Sequence, residues 1–311
     1  SPTVDLGNDV SLCAGDSTLL DAGAGHTNYL WNTGETTQTI YADTAGTYNV
    51  TVGNVTHISN SNSIFISGNS SDHIDFGNVH NFEYNSPFSV SLWFKITNNE
   101  GLTISNRGSC PGGSGSALCH QGYEIYLDSS GFAFYLMNTW PSNLINIENF
   151  AVNLGNGLWH HAVITYNGNS DESGVNIYID NILKTHNVNY NSLNQTTSNN
   201  LPLRFGGHGE DYGGAGSMDQ VTFWNKVLTQ LEIQQYMSSP PTGNEAGLVG
   251  YWNFNEGSGS IATDLSGNGN NGTINGATWS TDVPAQYTNN CTATDDIVVT
   301  VSPQEDATFT Y

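Results

Sequence analysis

Hydrophobic and polar residues alternate with a period of two along most of this chain, the spacing of strands whose successive side chains face opposite ways. In residues 1–53 the runs are short, DVSLCAG, STLLDAG, NYLWNTG, TQTIYAD and TYNVTVG, and turn residues separate them. That is the pattern of a small antiparallel sandwich. From about residue 57 to 286 the runs lengthen and gain aromatic residues, as in SNSIFISG, FSVSLWFKIT, YEIYLD, FAFYLM, WHHAVITYN, VNIYIDNILK and SMDQVTFWN. Runs of this kind fill both faces of a double sheet. One stretch departs from the rule: TQLEIQQYM predicts a short helix with Leu231 and Gln235 on one face and Thr229 as N-cap. Period two returns at NNCTATDDIVVTVSP, where Ile297, Val299 and Val301 alternate with residues suited to the opposite face. The fold class is all-β.

Composition agrees and adds a charge argument. A chain of 311 residues, 37% hydrophobic and 11% charged, with 35 Gly, has room for two domains of short strands and polar turns. Acidic residues number 28 against five cations, a net charge of −23. Lys95, Arg107, Lys184, Arg204 and Lys226 are scattered, so no nucleic-acid partner is expected. An acidic surface keeps a protein soluble in salty water, which by itself accounts for the charge, or also supplies oxygen ligands for a hard cation, and calcium is the expected cofactor. No apolar run of about 18 residues appears, so no membrane insertion is expected, and the opening SPTVDLG lacks the regions of a signal peptide. The reading is an excised segment of an extracellular or cell-surface protein. Four cysteines, none in CxxC spacing, support disulfides and that location.

The words VSLCAGDSTLLDAG, YLWNTGETTQTI and AGTYNVTV resemble the immunoglobulin-like or PKD-like repeats of large bacterial surface proteins. That resemblance implies a final, cysteine-bearing strand directly after TYNVTVG, and the match comes only at NNCTATDDIVVTVSP. A second domain is thus expected inside the first, with Cys13 joined to Cys291. The inserted stretch is similar to the laminin-G-like members of the concanavalin A-like jelly rolls, carried by FSVSLWFKI, GLWHHAVITYNG, VNIYIDNILK, GSMDQVTFWNKVLTQLEI and GLVGYWNFNEGSGSIATDLSGNGNNGTINGATW. The last of these segments is familiar at the start of such domains, and its late position implies a permuted order. The expected organisation is a split Ig/PKD-like domain, residues 1–55 plus 287–303, a jelly-roll sandwich over 56–286, and the start of a further repeat or linker at 304–311.

Candidate residues follow from loops and from resemblance. Similar jelly rolls present a carboxylate such as Asp219 to structural calcium, and Asp264 and Asn268 in DLSGNGNNG, or Asn69 and Asp72 in SGNSSDH, offer further oxygens. The plain alternatives are turn-capping side chains. Cys110 and Cys119 bracket PGGSGSAL; a bridge there would stiffen the display of Arg107, His120 and Gln121. His208, Glu210, Asp211 and Tyr212 in GGHGEDYGGAG, with Trp140 in MNTWPSN, offer acceptors and aromatic platforms of the kind a sugar needs. His160 and His161 point to opposite faces of a strand and are read as structural. Glu124 and Asp128 in YEIYLD share a face, the sole trace of a glycoside hydrolase, but Tyr126 stands between them and backbone spacing of roughly 13 Å is wide for a carboxylate pair.

The expectation is a monomeric, non-catalytic, calcium-assisted module of an adhesin that binds a glycan or peptide on another cell surface and neighbours repeats of its own chain. A ligand-free spacer and a glycan-cleaving enzyme are the alternatives.

Overall fold

The computed structural model describes residues 2–26, 28–57, 60–69, 71–97, 101–107, 120–206, 215–285 and 288–303. In chain order the strands are β1 (Val10–Cys13), β2 (Thr18–Asp21), β3 (Asn28–Trp31), β4 (Thr39–Ala42) and β5 (Gly46–His57), then β6 (Ser63–Ser67), β7 (His73–Asp75), β8 (Phe88–Lys95) and β9 (Leu102–Ser105). They continue with β10 (Gly122–Leu127), β11 (Phe132–Thr139), β12 (Asn143–Asn149), β13 (Trp159–Tyr166), β14 (Val175–Ile179), β15 (Ile182–Lys184), β16 (Asn187–Asn191) and β17 (Arg204–Gly206). After β18 (Ala215–Trp224) come helix α1 (Gln230–Ser238), β19 (Leu248–Trp252), β20 (Ile261–Ala262), β21 (Gly272–Asn275), β22 (Thr278–Ser280) and β23 (Thr288–Ser302). The chain divides into two compact units, Ser1–Ile58 with Tyr287–Tyr311, and Ser59–Gln286.

The first unit holds a sheet in the order β1-β23-β5-β3 and a two-stranded sheet, β2-β4. Alternation selects its core: Tyr48, Val50 and Val52 of β5 and Ile297 and Val299 of β23 pack with Trp31, Leu20 and Ile40. Trp31 is buried yet polar at one end, and its Nε1 donates to the Thr37 carbonyl at 2.8 Å. The register corrects the expected Cys13–Cys291 bridge. Cys13 lies opposite Ser302 and Cys291 opposite Asn54, which separates them by roughly 36 Å along β23 at ~3.3 Å per residue. Cys13 is free and exposed. Cys110 and Cys119 fall outside the described residues.

The second unit is a sandwich. A nine-stranded sheet, β16-β12-β11-β10-β9-β17-β7-β21-β20, faces an eight-stranded one, β15-β14-β13-β8-β18-β6-β22 with β19 on β18. Between them Phe88, Val90, Leu92 and Phe94 of β8 meet Phe134, Leu136, Ile145 and Ile147, all buried. The late segment closes on the first strands of this unit: β21 pairs with β7 and β22 with β6. Helix α1 starts in a capping box, Thr229 and Glu232 each bonding the other's backbone. Ile233 is the residue it buries, packing with Val163, Trp224 and Tyr251, whereas Leu231, read as sharing a face with Gln235, is 79% exposed. A helix of nine residues lies on this sheet along a narrow strip, and Ile233 is the residue over it.

Candidate functional site

Each strand in the middle of the nine-stranded sheet gives its apolar residues to the core and leaves the others facing away from it. On β10 Tyr123, Ile125 and Leu127 are inside, so Glu124 and Tyr126 are outside. The same holds for Tyr135 on β11 and Asn146 on β12, each flanked by core residues, and for Ser105, which follows the core residue Ile104 on β9. Register then lines these positions up. Tyr190, Asn146, Tyr135, Glu124, Ser105, Arg204 and Asp75 are successive Cα partners across seven strands. At ~4.8 Å per strand the row is about 29 Å long. It carries no aliphatic side chain.

Charge along the row is internally matched. Arg107, two residues beyond Ser105, bonds Glu124 through Nε, and Arg204 Nε donates to Asp75 Oδ2 at 3.0 Å. Arg107 Nη1 also lies 3.4 Å from His120 Nδ1. Over this pair stands an aromatic cluster: Trp140 is 6.2 Å from the His120 ring, 6.3 Å from Tyr135 and 5.2 Å, edge-on, from Tyr190. Desolvation foremost, then the Glu124 and Glu148 charges, raise the Tyr135 hydroxyl above its ordinary pKa, against Arg107 and a hydrogen bond from Asn146. Tyr126 is raised by desolvation and by Asp128. Both hydroxyls therefore stay protonated donors at ordinary pH.

Local geometry fixes His120 in this cluster. Gly122 adopts φ 130°, and a Cβ there would stand 2.4 Å from Asn106 Oδ1 and 2.6 Å from Asn199 Nδ2. Only glycine fits so close an approach. Asn199 Nδ2 ties the Asn106 and Gln121 carbonyls together at 2.9 and 2.6 Å, and Gln121 Nε2 donates to Thr196 O and Ser198 O.

Of the residues expected to bind a ligand, Arg107, His120 and Trp140 converge here. His208, Glu210, Asp211 and Tyr212 lie outside the described residues. Sequence reasoning missed Ser105, Tyr126, Tyr135, Asn146, Tyr190 and Arg204 as a set. The signal available was a polar or aromatic residue at one alternate position of otherwise apolar strands, as in YEIYLD and NLINIEN; only register turns such positions into a row. Asp128 is no partner for Glu124, since its Oδ1 accepts from Ser130 N at 2.7 Å and Gly131 N at 2.9 Å in the β10–β11 turn.

The expected cation ligands do not assemble into one site. Asp219 is fully buried at a bulge of β18, where Oδ2 accepts from Asn60 Nδ2 at 2.6 Å and Oδ1 from Gln220 N at 2.8 Å. Burial pushes its carboxyl up to about 8, against those two hydrogen bonds. Gln220 takes φ 47°, and its buried Oε1 has no hydrogen-bond partner. A buried carboxylate beside an unpartnered amide oxygen is donor chemistry that suits calcium. Asp264 is engaged otherwise, accepting from the backbone N–H groups of Tyr251, Ser266 and Asn270, and Asn268 donates to Val249 O. Asn69 and Asp72 do meet, Nδ2 to Oδ2 at 3.4 Å, with Ser67 Oγ on the same oxygen. Among the described residues no group of three or more His, Cys, Asp and Glu side chains is placed to hold a metal.

A family model described as the concanavalin A-like lectin/glucanases superfamily matches residues 67–234. Among solved structures, a Bacteroides ovatus protein assigned to carbohydrate binding is 15% identical, with a TM-score of 0.51 over 90% of this chain and 83% of that one. A SAP-like pentraxin from Limulus polyphemus is 13% identical, with a TM-score of 0.45 over 72% of this chain and 96% of its own. The CBM40 module of a Ruminococcus gnavus IT-sialidase is 13% identical, with a TM-score of 0.37 over 56% and 97%. At such identity the likeness to the first of these is one of fold alone. No curated protein matches the sequence.

Proposed function

The chain belongs to the concanavalin A-like lectin/glucanases superfamily, and from that premise we propose that its second unit binds a carbohydrate on the outer face of the nine-stranded sheet without cleaving it. The observation that supports this most is the convergence of Trp140, Tyr135 and Tyr190 with His120 and the Arg107–Glu124 pair at one end of a seven-strand polar row. Sugars offer an apolar ring face and a rim of hydroxyls. Aromatic rings take the first, and matched donors and acceptors the second. Because Arg107 and Arg204 each face a carboxylate, the row has no surplus positive charge, which favours a neutral glycan over an acidic one. Glu124 holds Arg107 and Asp128 caps a turn, so this reading assigns neither a catalytic role.

A glycan array followed by calorimetry on the best ligand tests the proposal. Trp140→Ala and Tyr135→Ala are each expected to weaken binding by about tenfold, the scale of an aromatic contact of ~1.5 kcal/mol. Retention of full affinity in both variants overturns the placement of the site. Slow hydrolysis of the bound glycan, abolished by Glu124→Gln, overturns the non-catalytic reading.

Calcium assistance enters through Asp219, supported by its burial beside the unpartnered Gln220 oxygen. A cation bound there stabilises only the folded form, so chelation lowers Tm. An unchanged Tm removes calcium from the proposal. The extracellular adhesin, with the first unit as an Ig/PKD-like mount, is the setting that fits the net charge of −23 and the interleaved chain order.

A further inference from the structure

The two ends of the first unit lie on neighbouring strands that run in the same direction. β1 pairs in parallel with β23 from Val10↔Val299 to Cys13↔Ser302. Around that ladder Ala14 N donates to Ser302 O at 3.0 Å, Ser11 Oγ meets Thr300 Oγ1 at 2.9 Å, and Val298 N donates to Asp9 Oδ1 at 3.0 Å. Leu6 N donates to Asp295 Oδ2 at 2.7 Å. The segment from Leu6 to Ala14 is therefore tied along β23 from Asp295 to Ser302.

Tension entering before Leu6 and leaving after Ser302 pulls these two strands past each other along their length. All the links then bear load together in shear, and none can open ahead of the rest as in a zipper. The inserted unit leaves the first one after β5 and re-enters it at β23, where His57 faces Thr288. The twelve pairs from there to Gly46↔Val299 join its two ends side by side. As long as the β1–β23 links hold, tension along the chain passes from β1 to β23 without crossing the insert.

We infer that the first unit is a load-bearing clamp that keeps the binding unit off the line of tension carried along the chain. This goes beyond the glycan reading and does not depend on it, and its test uses no glycan. Forced unfolding reads the unfolding rate under load, so the experiment is a single-molecule force clamp on the full chain. In one arm the handles sit at the two termini. In the other they sit at Asn153 and Ser258, exposed positions within the insert.

At a force that opens the directly loaded insert within seconds, the end-loaded chain is expected to keep its folded length. At higher force it lengthens first by about 230 Å, from the roughly 65 residues of the first unit between Val10 and Ser302, and then by about 800 Å from the insert, at ~3.6 Å per residue. Replacing Asp9 and Asp295 by Ala removes two of the side-chain links without touching the core. Their loss should shorten the end-loaded lifetime by about tenfold, the effect of two modest hydrogen bonds, and leave the directly loaded lifetime unchanged. An end-loaded chain that yields the longer step first overturns the inference. So does a first unit that opens below the force the directly loaded insert withstands, or an end-loaded lifetime that the paired substitution does not alter.

Discussion

One buried and one half-buried histidine of the second unit, His161 and His80, stay uncharged, and acid should therefore destabilise it at a pH where ordinary surface groups are quiet. His80 stacks on Phe223 with ring centroids 4.9 Å apart, and His161 accepts or donates through Nε2 to Ser91 Oγ at 2.8 Å. Desolvation lowers both from 6.5 to about 4, opposed only by Asp264 for His80 and Asp180 for His161. The unfolded chain binds two protons near pH 6.5 that the folded chain refuses until about pH 4. The stability these groups contribute is therefore complete above 6.5 and lost as pH falls through 4. A depression of that size is worth about 3 kcal/mol for each residue, an appreciable share of a domain's ~5–15 kcal/mol. Asp219 acts with opposite sign: with a carboxyl at about 8, its folded form keeps a proton that the unfolded form sheds above 3.8. Without a bound cation it stabilises the fold as pH falls from 8 toward 3.8. Two histidines against one aspartate leave one net proton, so between pH 6.5 and 5 stability should fall by about 1.4 kcal/mol per pH unit. The assay is urea unfolding in chelator at half-unit pH steps, with Trp224 and Trp252 as buried reporters of this unit. His80→Asn keeps a residue type that tolerates the φ of 53° found there and removes one titrating group. Its slope should be near zero over the same window. An identical slope in the variant and the parent protein refutes the argument, whatever the absolute stabilities.

Asp219→Asn removes the opposing carboxylate, so in chelator at pH 8 the variant should melt above the parent protein, and added calcium should raise only the parent's Tm. Gly122→Ala drives a Cβ to within 2.4 Å of Asn106 Oδ1 at φ 130°, and should cost about 2 kcal/mol in urea midpoint stability as well as weaken glycan binding through His120. Thr229→Ala opens the capping box of α1 and should cost about 1 kcal/mol by the same measure, with glycan affinity unchanged. Cys13→Ser should leave Tm unaltered with or without reductant, since Cys13 is free and exposed; a large drop would restore the bridge to Cys291.

Period-two alternation was enough to place most strands and to mark Ile297 and Val299 as part of one; that this last strand pairs with β1 and β5 is shown by the register, and only a resemblance pointed to it in advance. Hydrophobic burial is a property of the residue and its two neighbours, so it is written locally. Thr229 and Glu232 mark the start of α1 for the same reason: a cap is satisfied within four residues. Which residue of α1 faces the sheet was not local: it is Ile233, because the strip beneath the helix is set by Val163, Trp224 and Tyr251 from three other elements. Arg107, His120 and Trp140 were legible singly, as polar or aromatic residues beside Gly-, Ser- or Pro-containing stretches of the sequence. Their meeting with Tyr135, Tyr190 and Glu124 depends on strand register, a relation between residues up to tens of positions apart that no local pattern encodes. Register likewise set Cys13 opposite Ser302 and far from Cys291, and burial at a bulge, not sequence context, made the carboxyl of Asp219 a weak acid. The amino-acid order determined which residues turn inward. Only the folded sheets decided which of the remaining ones stand side by side, because pairing across strands is fixed by the sum of all the core contacts at once.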